Sequence, residues 1–139
     1  MFELDSDSYR IACPPIGRVE TAADAVRLFS PALAGEDRER LLAAHLDADG
    51  AVIRVDAQAG QHDLLVVRTA ELVREACLCR TRRLLLAHNH PSGDPTPSRA
   101  DRLTTRHLAG LLQLLDIELV DHLIFARGGV ASFRALGLL

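Results

Sequence analysis

The chain has 139 residues, 48% of them hydrophobic and 25% charged, with a net charge of -3 and a pI near 6.0. That length suits one domain with a sizeable core and is short for two. The acidic balance disfavours nucleic acid as a default partner, and no apolar stretch approaches the ~20 residues of a membrane-spanning helix.

The first residues, "MFELDSDSYR", are acidic and polar and do not read as a signal peptide. Residues 1–20, with Pro14, Pro15 and Gly17, read as an irregular or edge segment, and residues 21–139 as the domain. Thr21 can cap a short helix from Ala22 to Phe29 that Pro31 closes. After the charged connection "GEDRER" come two strands joined at Asp49-Gly50, a dipeptide suited to the positive φ angles of a tight turn. "TAELVREACLCRT" predicts a helix with Thr69 as its cap and Leu72, Val73 and Ala76 on its apolar side.

"RRLLLAHN" then reads as a buried strand. From Ser98 to about Asp116, Leu103, Leu108, Leu111, Leu112 and Leu115 mark an amphipathic helix. "IELVDHLIFA" has strong β composition and is ended by Gly128-Gly129; "ASFRALGLL" closes the chain as a last strand and turn. This order predicts an α/β fold, a mixed sheet with helices on both faces in three layers. Trp is absent and aromatics are few, so Leu, Val, Ile and Ala must supply most of the core.

Cys13, Cys77 and Cys79 form no disulfide framework and point to a reducing, cytoplasmic setting. Cys77 and Cys79 read as small buried residues. Residues i and i+2 of a helix face different sides, so the two would not share a metal. Arginines gather at Arg80, Arg82, Arg83, Arg99, Arg102 and Arg106, where a local basic patch is possible.

The stretch "LLLAHNHPSGDPTPSRAD" (84–101) runs an apolar strand into two histidines and a proline-rich loop. Positions i and i+2 of a strand face one side, so His88 and His90 can aim both imidazoles at one point. Asp101, eleven residues after His90, can fold back to the strand end as a third ligand. Two imidazoles and one carboxylate leave a coordination position open, as in catalytic rather than structural zinc sites. Ser98 to Asp101 also reads as a helix N-cap with an acidic N3 residue, and that alone would account for both. His45, His62 and His107 read as satisfied or surface histidines.

"HNHPSGDPTPSRAD" resembles the signature of the RadC-like proteins, a branch of the JAMM/MPN+ metallopeptidases. The resemblance runs from about Thr21 to the C-terminus and includes "DHLIFA". It implies a three-layer α/β/α architecture of JAMM/MPN, cytidine-deaminase-like type. It further implies Zn2+ held by His88, His90 and Asp101, with Ser98 stabilising the oxyanion and an upstream glutamate handling protons. Glu39 fits the glutamate's place, eight residues before Asp47 at the head of the hairpin strand; Glu36 is too early. Asp121-His122 matches a pair found in the family, with either a supporting role behind the site or a structural role in the sheet.

The implied activity is zinc-dependent hydrolysis of a peptide or isopeptide bond in an unidentified peptide or protein substrate. The alternative is a non-catalytic accessory module in DNA repair or mobile-element metabolism. Full-length relatives usually carry a helix-hairpin-helix region at their N-terminus. With fewer than 40 residues before Glu39, no such region is expected here. Relatives also commonly place an arginine where Ala70 stands. His-Asn-His is not the spaced motif of HNH nucleases, and the H-x-E and P-C-x-x-C elements of zinc deaminases are missing. The ligand set alone would also accept iron.

Overall fold

The computed structural model describes residues 8–59 and 64–139. Its elements in chain order are β1 (Ser8–Arg10), α1 (Ala22–Leu33), β2 (Arg40–Leu46), β3 (Val52–Ala59), α2 (Leu64–Leu78), β4 (Arg83–Asn89), α3 (Arg99–Gln113), β5 (Glu118–Ala126) and β6 (Gly129–Ser132). The strands make one mixed sheet in the order β1-β3-β2-β4-β5-β6, antiparallel except for the parallel pair β4 and β5. The mixed α/β fold is the one the pattern predicts, and residues 8–10 of the N-terminal segment supply its edge strand.

Strands β2 and β4 are buried on both sides, which requires cover on each face of the sheet. Alternation sends Leu42, Ala44, Leu85 and Ala87 into one core with Ala25, Leu28, Phe29 and Leu33 of α1. It sends Leu41, Ala43, Leu84 and Leu86 into a second core with Leu72 and Ala76 of α2 and Leu108 and Leu112 of α3.

The hairpin between β2 and β3 turns at the expected place by a different route. Gly50 alone takes a positive φ of 84°, while the Asp47 carboxylate accepts the N–H groups of Asp49 and Ala51. The result is a turn with one left-handed residue, not the two that the dipeptide suggests. A Cβ on Gly50 would also lie 2.4 Å from the Val19 carbonyl oxygen, so the position excludes any larger residue.

Four local expectations need correction. Thr21 caps α1 in a capping box with Asp24, but the helix runs through Pro31 to Leu33. Burial of Leu33 favours the extra turn, and near the helix end the proline forfeits only one backbone hydrogen bond. Helix α2 starts at Leu64, so Thr69 is buried inside it and is no cap. Cys77 is exposed and Cys79 only half-buried. The buried stripe of α3 runs through Asp101, Thr104, Thr105, Leu108 and Leu112, leaving Leu103 57% and Leu115 45% exposed. The helix is turned so that its first turn faces the sheet with a carboxylate instead of a leucine.

His45 is fully buried; its Nδ1 meets the Thr81 hydroxyl at 2.8 Å, while Nε2 lies 3.5 Å from the Asp56 carboxylate without a hydrogen-bond partner. His107 is exposed, and His62 lies outside the described residues. Among the described residues no helix is long and apolar enough to cross a membrane.

Candidate metal centre

Three segments distant in sequence meet at the C-terminal end of β4. His88 projects to the α3 side of the strand, and His90 follows one residue beyond its end. Their Nε2 atoms face each other at 2.9 Å. Asp101 sits in the first turn of α3 and is largely buried. Its Oδ1 lies 3.6 Å from His88 Nε2 and its Oδ2 3.2 Å from His90 Nε2. The β2–β4 register pairs Leu41 with His88, which carries Glu39 alongside His90. The ligating atoms of Glu39, His88 and His90 all fall within 4.8 Å of one another.

This donor set fits a zinc ion. Zinc–nitrogen and zinc–oxygen bonds of about 2.0–2.1 Å in a tetrahedron put ligand atoms about 3.3 Å apart. The 2.9 Å between His88 Nε2 and His90 Nε2 and the 3.2 Å from Asp101 Oδ2 to His90 Nε2 lie near that edge, and the other Asp101 oxygen, Oδ1, is 3.6 Å from His88 Nε2.

The hydrogen bonds behind the two histidines fix their protons. His90 Nδ1 lies 2.9 Å from the Asp94 carbonyl oxygen, which can only accept. His90 therefore carries a proton on Nδ1, and its neutral form offers the Nε2 lone pair to the site. Behind His88 a chain continues inward: His88 Nδ1 meets His122 Nε2 at 2.7 Å, and His122 Nδ1 meets the Thr105 hydroxyl at 2.8 Å. His88 offers its own Nε2 lone pair when Nδ1–H donates to His122 and His122 Nδ1–H donates to Thr105. Burial, with the His88 imidazole next in weight, holds the His122 pKa well below its ordinary value and so favours the neutral ring this chain requires.

Burial would raise the Asp101 carboxyl, but the adjoining His88 imidazole and the Ser98 contacts outweigh it. They hold Asp101 well below the usual carboxylate range. Ser98 is the N-cap of α3: its hydroxyl oxygen accepts the Asp101 N–H at 3.0 Å, and its own N–H donates to Asp101 Oδ2 at 2.9 Å. The cap reading of Ser98 and Asp101 is thus correct. It coexists with Asp101's place at the histidines, and the Ser98 hydroxyl proton is not used in that bond.

The loop from His90 to Ser98 is docked against the end of β5. His90 N–H donates to the Phe125 carbonyl at 2.8 Å, and Gly128 N–H to the Gly93 carbonyl at 3.0 Å. A Cβ on Gly128 would lie 2.9 Å from the Gly93 oxygen, so this close approach needs glycine.

The pair Asp121-His122 divides its work. Asp121 is structural: it accepts from the His122 and Arg134 N–H groups and from the Ser132 hydroxyl, tying the chain end to β5. His122 faces the histidine pair through His88. We expect His122→Phe, which keeps the stacking on Phe133 but removes the bond to His88, to weaken zinc binding about 10–100-fold. Competition with a fluorescent chelator measures this; parental affinity would leave His122 a packing residue only.

The arginine gathering separates into two groups. Arg99, Arg102 and Arg106 lie exposed on α3, whereas Arg80, Arg82 and Arg83 lie at the far end of β4, where Arg83 pairs with Glu118.

The sequence model of the RadC-like JAB domain family matches residues 19–138. A UPF0758 protein of Roseiflexus castenholzii is 34% identical over 122 residues, covering 87% of this chain and 52% of the relative. A UPF0758 protein of Symbiobacterium thermophilum is 36% identical over 133 residues, covering 94% of this chain and 57% of the relative. The chain thus spans little more than half the length of these two curated relatives.

Proposed function

The chain belongs to the RadC-like JAB domain family, and from that footing we propose that it is a zinc-dependent metallopeptidase acting on a peptide or isopeptide bond. The observation that carries this reading is the convergence of His88 Nε2, His90 Nε2 and the carboxylates of Asp101 and Glu39 at one strand end.

His88, His90 and Asp101 are the ligands in this reading, because each is held from behind: His88 by His122, His90 by the Asp94 carbonyl, Asp101 by the Ser98 N–H. When bound, zinc supplies the acidification of water, from a pKa near ~16 to about 7, and the polarisation of a carbonyl. Glu39 is the proton carrier: its carboxylate takes a proton from the attacking water and delivers it to the leaving amine nitrogen. The Ser98 hydroxyl donates to the carbonyl oxygen as negative charge builds there; losing such a donor costs about 10²–10³ in turnover in other enzymes. One water is consumed, and the amide becomes a carboxylic acid and an amine.

The partner is a peptide or protein substrate, and nucleic acid is not favoured by the net charge of -3. Cleavage of a fluorogenic peptide library and of lysine-isopeptide probes tests the reading. Hydrolysis should disappear with a chelator and return with added zinc. A folded, zinc-loaded protein that cleaves neither probe class yet binds DNA through its arginines would favour the accessory-module reading instead.

A further inference from the structure

The residue between the two histidines is assigned no role by the ligand set, yet it is only 2% exposed and fully engaged. Strand alternation turns the Asn89 side chain to the face opposite His88, toward the connection between α1 and β2. There its Oδ1 accepts the Arg40 N–H at 2.7 Å, while Nδ2 donates to the carbonyls of Glu36 at 3.2 Å and Arg38 at 2.8 Å. The amide can be oriented only this way, since Oδ1 meets a donor and Nδ2 meets two acceptors. The three bonds span 49 to 53 residues of sequence and bracket Glu39 on both sides.

We propose that Asn89 is a positioning residue: its side-chain amide straps down the backbone of residues 36–40 and so holds the Glu39 carboxylate at the histidine pair. This rests on the peptidase reading for Glu39's task. The segment 36–39 lies between α1 and β2, where the Glu36 N–H donates to the Leu33 carbonyl at 3.3 Å and the three Asn89 bonds tie the rest to β4. Further support comes from the Arg40–Glu36 ion pair, which is part-exposed and weak. The strand thus serves both of its faces at one point, with ligands on one side of the sheet and the clamp for the proton carrier on the other.

The isosteric change Asn89→Asp keeps the acceptor for Arg40 N–H and sets an oxygen against two carbonyls; Asn89→Ala removes all three bonds. Both variants should keep about one zinc per chain and a parental far-UV spectrum. Turnover on the fluorogenic peptide should fall about 10–100-fold with KM little changed, as for a misplaced catalytic group. In Asn89→Ala, hydrogen exchange should accelerate at the Arg40 amide but not at Ala43 in the middle of β2.

The deciding comparison is made in a Glu39→Gln background. A residue acting through Glu39 adds no further loss there, whereas an equal loss in both backgrounds would overturn the assignment. Zinc lost from both Asn89 variants would overturn it as well. A parent without hydrolase activity would refute the peptidase reading, and exchange would then judge the strap alone. Acceleration confined to Arg40 upholds the strap, and parental protection removes it.

Discussion

Glu39→Gln should lower amide hydrolysis about 10²–10⁴-fold while the protein retains its zinc and its fold. Glutamine keeps the size and polarity of the side chain but cannot accept and return a proton. The carboxylate lies within 4.8 Å of both imidazoles and is half-buried at the mouth of the site. Two carboxylates adjoin the histidine pair, so either is chemically able to be the third ligand. Asp101 is the one pinned by an N–H donor and turned inward on a helix, while Glu39 lies half-buried just before β2. Metal content and turnover measured on one preparation check the assignment. Zinc lost together with activity in Glu39→Gln would make Glu39 a ligand and exchange the two roles.

His88→Ala and Asp101→Asn should each bring zinc from about one per chain to near zero, with turnover following it. Removing His88 leaves two of three ligands and strands His122, a buried imidazole that loses its partner at 2.7 Å. Asp101→Asn is the cleaner test of charge, since the amide oxygen can still accept the Ser98 N–H and preserve the cap. An alanine there would also remove a cap contact, typically about 1 kcal/mol of helix stability. Thermal unfolding with and without added zinc separates the two effects. Zinc should stabilise the parent by mass action and leave Asp101→Asn unmoved. A zinc-dependent shift in the variant equal to the parent's would exclude Asp101 as a ligand.

Much of the site was legible because its chemistry is concentrated in a single loop. His88, His90, Ser98 and Asp101 lie within fourteen positions, and strand alternation and helix-start chemistry act locally on all of them. Glu39 was legible only through resemblance, because the β2–β4 register that brings it to His90 is a long-range pairing. The same holds for the supports. His122 reaches His88 through the parallel register of β4 and β5, and Asn89 reaches residues 36–40 across the sheet. Nothing in the neighbouring residues announces either contact.

The local misreadings have a common origin in tertiary packing. Leucine spacing placed Leu103 on the buried side of α3, but the need to face Asp101 inward rotates that stripe toward Thr104 and Thr105. Pro31 reads as a stop, yet the buried face of α1 continues to Leu33. Thr69 reads as a cap, yet α2 already begins at Leu64 and Thr69 is buried within it.

The most direct measurement is the zinc content of the purified protein by elemental mass spectrometry, beside His88→Ala and Asp101→Asn. About one zinc per chain in the parent, absent from both variants, is the predicted result. A folded parent that holds no zinc even after zinc is supplied would contradict the account at its centre.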